Sequence, residues 1–237
     1  MTDAETILPG GRQTSGIVRI GDTVRRPLHR TSEFVHALLR HFEAVGFDGA
    51  PRFLGIDDEG REILTYVEGQ VLDGSDQDGD PAPPLTDAQL HSAGRLIRRF
   101  HDATAGTAFA GDAEVVCHSD LGPHNIVFRT DDAIAIIDWD EDTAPGARIF
   151  DFGHAVWCLA EIGAHGGSIE DQARRARIVC DAYGWNDRSE VVDEIEAQLR
   201  RALAWHEANG HRDGARIFSE MVTWMTEHGA ALKTHLL

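Results

Sequence analysis

The sequence predicts an α+β chain built as a small strand-rich N-terminal lobe, residues 1–70, and a larger, mainly helical C-terminal lobe, residues 71–237. Three observations predict it. Short extended stretches surround a single helix over the first seventy positions. An acidic run rich in Gly and Pro fills 73–84. Beyond that run most apolar residues recur at helical spacing. The 237 residues suffice for a buried core, and 42% hydrophobic against 26% charged residues excludes a chain disordered throughout.

Each element has its own local reason. Residues 8–16 include Gly10, Gly11, Thr14 and Ser15, small enough for backbone N–H groups to approach a phosphate; an ordinary turn is the other reading. Residues 17–20 and 23–26 read as two short strands joined by Gly21-Asp22. Thr31 or Ser32 caps a helix whose Phe34, Val35, Leu38, Leu39 and Phe42 share one face, and Gly46 ends it. Residues 53–56 and 62–67 are further strands around the polar turn 57–60. Thr86 opens a helix reaching about His101, with Leu90, Ala93, Leu96, Ile97 and Phe100 on one side. Two strands follow at 126–128 and 133–137, and from about Asp151 the pattern is mostly helical. A cleft is expected between the lobes, where small ligands usually bind.

The chemistry concentrates in 117–140. His118, Asp120 and Asn125 are spaced H-x-D-x-x-x-x-N, and Asp138 follows at the end of an apolar strand, thirteen residues past Asn125. Phosphoryl transfer needs a carboxylate to orient the attacking hydroxyl and take its proton. It also needs an amide oxygen and a second carboxylate to hold Mg²⁺ against the β- and γ-phosphates. A shuffled chain of this composition would show the His/Asp/Asn spacing roughly 0.02 times. His118, Asp120 and His124 also suggest a hydrolytic metal centre, but Pro123 keeps them off one continuous helix.

This segment resembles the catalytic core of the aminoglycoside phosphotransferase family, small-molecule kinases with a protein-kinase-like fold. The pair Asp138-Trp139-Asp140 is more similar to these than to protein kinases. The resemblance covers about residues 7–160 and implies transfer of the γ-phosphate of ATP or GTP to a hydroxyl of a small molecule. It implies Asp120 as catalytic base, Asn125 and Asp138 as Mg²⁺ ligands, and His118 as a structural member of the loop. Asp151-Phe152-Gly153 spells the protein-kinase metal motif, but Asp138 already fills that role, and Asp151 is expected to brace the loop instead. Thr14 and Ser15 would lie at the phosphates, and backbone groups of Thr65, Tyr66 and Val67 would hydrogen-bond the base. The family's third-strand lysine is missing, since Lys233 is the one lysine present. Arg25 or Arg26 must replace it. They point to opposite strand faces, and Arg25 is preferred. Glu33 either pairs with that arginine or favours the helix N-terminus. A nucleotide-binding protein of this fold with weak or no catalysis is the alternative function.

Composition limits the partners. With 22 Lys plus Arg against 40 Asp plus Glu the net charge is −18, which repels a nucleic-acid backbone. Most of that charge lies in 62–94 and 131–171, and it either attracts a cationic acceptor or simply solvates the surface. No membrane span is expected, because the apolar run 133–137 is far too short to cross a bilayer. The amino terminus does not read as a secretory signal, and three scattered cysteines suit a reduced, cytoplasmic protein.

Overall fold

The structure, a computed structural model, describes residues 5–8, 16–72 and 83–236. Five antiparallel strands open the chain: β1 (Glu5–Ile7), β2 (Val18–Ile20), β3 (Thr23–Pro27), β4 (Phe53–Ile56) and β5 (Arg61–Thr65), in the order β1-β2-β3-β5-β4. Between β3 and β4 runs α1 (Ser32–Ala44), which buries Val35, Leu38, Leu39 and Phe42. Gly46 follows with φ +77°, the left-handed turn that ends the helix. β1 was not foreseen; three residues show too little alternation to announce a strand.

The helical part begins at α2 (Asp87–Thr104). Thr86 accepts from the Gln89 N–H while the Gln89 side chain accepts from the Thr86 N–H, a reciprocal cap that satisfies two helix-end donors. Next come β6 (Val115–Cys117), a 3-10 turn (Pro123–Asn125), the hairpin β7 (Ile126–Arg129) and β8 (Asp132–Ile136), and β9 (Ala144–Gly146), which pairs with β6. Four helices complete the chain: α3 (Arg148–Leu159), α4 (Ile169–Tyr183), α5 (Arg188–Ala208) and α6 (Arg212–Leu236). α2 and α6 pack on α4, and α5 packs on α3 and α6. Lys233 of α6 pairs with Asp193 of α5. Cys117, Cys158 and Cys180 are all free, and no helix among the described residues is long and apolar enough to cross a membrane.

One apolar cluster runs from α1 through the hairpin into the later helices. Trp139, 1% exposed, sits at its centre, with ring centroids 5.2 Å from Phe42 and 4.9 Å from Phe100. Its Nε1–H donates to the Ile136 carbonyl, so the burial leaves no donor unpaired. The segment that follows β5 is joined to the hairpin through Gln70, whose N–H and C=O both bond Phe128. Gly69 permits this approach: a Cβ there would lie 2.6 Å from the Phe128 carbonyl oxygen. Trp139→Ala should lower unfolding free energy by about 3–5 kcal/mol, the usual cost of emptying a large aromatic site, measured by urea titration.

Candidate functional site

The hairpin sets the frame. Ile126 pairs with Ile136, and the Ile137 N–H donates to the Asn125 carbonyl at 2.9 Å. Asn125 therefore stands opposite Ile137, and Asp138 follows one residue beyond at the same end of the hairpin. Asp138 has φ +63°, a backbone state that costs a residue with a side chain about 1–3 kcal/mol. Asn125 Nδ2 donates to the Asp120 carbonyl at 2.9 Å and to Asp120 Oδ2 at 3.0 Å. Asp120 and Asn125 are thus in direct contact, while the Asp138 side chain is bonded to Arg26. Among the described residues the Asn125 side chain bonds only through its nitrogen, so its amide oxygen and Asp138 Oδ2 could accept a hard cation. One carboxylate and one amide, completed by phosphate oxygens and water, is a donor set that fits Mg²⁺.

The loop that carries Asp120 is held from below by α3. Asp151, 0% exposed, accepts the His118 N–H on Oδ2 at 2.9 Å and the Ser119 N–H on Oδ1 at 2.7 Å. His101 of α2 donates Nε2–H to Oδ2 at 3.0 Å and accepts the Tyr183 hydroxyl on Nδ1 at 2.7 Å. Burial alone would raise the Asp151 pKa, but His101, His118 and the backbone donors hold it below the ordinary value. Ser119 has φ +71°, so this carboxylate also fixes a strained residue. Asp151 braces the loop, as expected, from the first turn of a helix rather than from a metal site. His118 is buried, donates Nε2–H to the Ile137 carbonyl at 2.8 Å and lies edge-on to Trp139. It is packed, and it does not gather with Asp120 and His124 as a ligand set.

The arginine expectation needs correction. Arg25 points away from the centre, toward Thr23 and Asp57. Arg26 is buried and spreads its three nitrogens: Nε to Glu62, Nη1 to Asp138 Oδ1 at 2.8 Å, and Nη2 to the Trp139 carbonyl. The preference for Arg25 fails because the sheet turns the Arg26 face toward the hairpin. Glu33 is exposed on α1 and does not pair with the arginine. Its place is taken by Glu62, which stands opposite Arg26 in the β3–β5 register and is 0% exposed. His36 of α1 closes the group, 2.7 Å from Glu62 Oε2. Sequence reasoning missed Glu62 and His36; the one available signal was a glutamate inside the apolar strand 61–65.

The nucleotide-base expectation narrows. The Thr65 N–H donates to the Arg52 carbonyl and the Tyr66 N–H to the Asp22 carbonyl. Those two donors are committed inside the protein, which leaves the Val67 N–H and the carbonyls. Thr14 and Ser15 lie outside the described residues. Around Asp120, His124 Nε2 is 3.1 Å from Oδ2 and His154 Nε2 is 3.5 Å from Oδ1. The imidazoles of His124 and then His154 hold the Asp120 carboxyl far below the usual carboxylate range, against a burial effect that raises it. Beside this group lies a cavity of about 190 Å³, lined by Leu85, Pro123, His124, Cys158, Glu161 and Arg175 among others.

Comparison with known proteins gives the geometry a context. Residues 107–191 match the sequence model of a phosphotransferase enzyme family. Over its full length the chain is 29% identical to the trifolitoxin immunity protein of Rhizobium leguminosarum bv. trifolii, with 100% of both chains aligned. A choline/ethanolamine kinase family protein from Mesorhizobium loti is similar at 17% identity and TM-score 0.61, covering 98% of this chain and 93% of that one. The GDP complex of aminoglycoside 2'-phosphotransferase-IIIa is similar at 13% identity and TM-score 0.60, covering 100% and 94%. The fold is protein-kinase-like, as the sequence predicted, and the recognised resemblance to phosphotransferases stands.

The Asp151 brace makes a direct prediction. Its folded pKa lies below the unfolded value of 3.8, so its contribution is complete above that value and is lost as pH falls through the lower folded one. Asp151→Asn should cost about 3–5 kcal/mol at neutral pH, as for a broken buried charged network. The variant should also show a shallower loss of stability in acid, read from urea titrations across pH 2–7.

Proposed function

We propose that this protein transfers the γ-phosphate of a nucleoside triphosphate, ATP or GTP, to a hydroxyl of a small molecule. The observation that carries the reading is the continuous contact Asp120–Asn125, with Asp138 one residue beyond the Asn125–Ile137 backbone bond and Arg26 on its carboxylate. The acceptor hydroxyl hydrogen-bonds the Asp120 carboxylate. As the acceptor oxygen bonds the γ-phosphorus, the bond from phosphorus to the β-bridging oxygen breaks, the diphosphate leaves, and Asp120 takes the hydroxyl proton. The Asn125 amide oxygen and Asp138 would hold Mg²⁺, which when bound offsets the charge on the β- and γ-oxygens. Arg26 stands in for the missing lysine at the phosphates, Val67 offers its N–H to the base, and the backbone of Thr14 and Ser15 would lie over the phosphates. Arg25 has no part in nucleotide binding. The described helices and the acidic composition support a protein free of membrane and nucleic acid, in the cytoplasm.

Function in protection from a toxin is a second reading, favoured by the end-to-end alignment with a protein named for trifolitoxin immunity. The acceptor hydroxyl would then belong to the toxin. The cavity beside His124 supports a small acceptor or one exposed side group over a bulky one.

A nucleotide-consumption screen of ATP and GTP with Mg²⁺, over hydroxyl-bearing metabolites, antibiotics and peptide toxins, tests both. Asp120→Asn serves as the blank. Turnover in that variant should fall about 10²–10⁴-fold with nucleotide affinity retained. Nucleotide binding without turnover on any acceptor would leave the weak or inactive binder. In calorimetry, Arg26→Gln should weaken nucleotide binding by about tenfold or more, the loss of one charged hydrogen bond, while Arg25→Gln should leave it unchanged.

A further inference from the structure

α3 meets the Asp120 loop at two points one helical turn apart. Asp151 holds the backbone at 118 and 119, and His154, three residues later on the same face, reaches the Asp120 carboxylate. Oδ2 of that carboxylate is held by His124 and Asn125, both from its own loop. Oδ1 is approached by His154 alone among the described residues. The His154 ring is set edge-on against Trp157, with centroids 5.5 Å apart. Its Nε2 is also 3.5 Å from Cys158 Sγ, and Cys158 lines the same 190 Å³ cavity as His124. The ring thus touches one residue of the cavity wall, Cys158, and the carboxylate.

We infer that His154 is a positioning residue: its imidazole, in a 3.5 Å ion pair with Oδ1, orients the Asp120 carboxylate toward the acceptor hydroxyl. The inference rests on the reading of Asp120 as the base. The protonation of His154 is in keeping with it. Burial lowers the His154 pKa, yet Cys158 and the Asp120 carboxylate outweigh burial and push it up to about 10, so the ring is a donor at neutral pH. Its polar contacts among the described residues are the Cys158 thiol at 3.5 Å and the Asp120 carboxylate, an ion pair at 3.5 Å.

The test compares His154→Gln, which keeps a donor near the Nε2 position, with His154→Leu, which keeps volume and loses the donor. The probe is basal Mg²⁺-dependent hydrolysis of ATP and GTP, with water in the acceptor's place. His154→Leu should lower kcat about 10–100-fold, the range for losing a group that orients a catalytic ligand, at unchanged nucleotide KM. His154→Gln should recover most of the rate. Wild-type kcat in a folded His154→Leu variant overturns the inference, as does an equal loss in both variants, which would mean packing alone. Independently of turnover, the ¹⁵N imidazole shifts of His154 should move in Asp120→Asn; unchanged shifts overturn the contact itself. Absence of transfer to every acceptor in the screen counts against the transfer reading, whereas the imidazole shifts judge His154 separately.

Discussion

A single buried carboxylate, Asp151, determines whether this site exists. It is closed to solvent, takes two backbone N–H groups from consecutive residues of the loop, and is itself held by His101, which is held in turn by the Tyr183 hydroxyl. Arg148 reaches that same hydroxyl at 3.3 Å. Hydrogen bonds to an ionised group are roughly twice as strong as neutral ones, and inside a protein an unpaired charge is costly. The loop therefore has one arrangement that satisfies the carboxylate. Ser119 accepts an unfavourable backbone angle within it, and Asp120 emerges at a fixed place.

The second constraint is the arginine that joins the sheet to the hairpin. Glu62 is buried and needs a cation; Arg26 supplies it from the opposite strand while two other nitrogens reach Asp138 and the Trp139 carbonyl. A lysine ammonium is a compact point charge and does not span three partners set around a plane, whereas a guanidinium fork does. His36 completes the group from α1 by contacting the other oxygen of Glu62. The substitution is thus a rearranged ion network, with the carboxylate moved from helix to strand and a histidine on the helix.

What the sequence revealed divides along chain distance. Asp120, Asn125 and Asp138 fall within one loop and one hairpin, so local spacing was enough to nominate them. The cap at Thr86 and the turn at Gly46 were equally local. Alternation along β3 said that Arg25 and Arg26 diverge, but the face that meets the hairpin depends on how β3 pairs with β5, 36 residues away. Glu62 and His36 were hidden for the same reason. His154 belongs to a helix distant from Asp120 in sequence, and no spacing links them. The short strands β1, β6 and β9 are three residues each, too short for alternation to show, and β9 also contains Pro and Gly.

The absence of a lysine from β3 also bears on how such a protein is detected. Nucleotide analogues that acylate an amine beside the phosphates depend on an ε-amino group there. This chain has one such group, on α6 and paired with Asp193, and a guanidinium in the strand resists acylation. If the proposed nucleotide site is real, surveys that capture kinases through that reaction would pass over this protein even at full occupancy, and a silent result would say nothing about its activity.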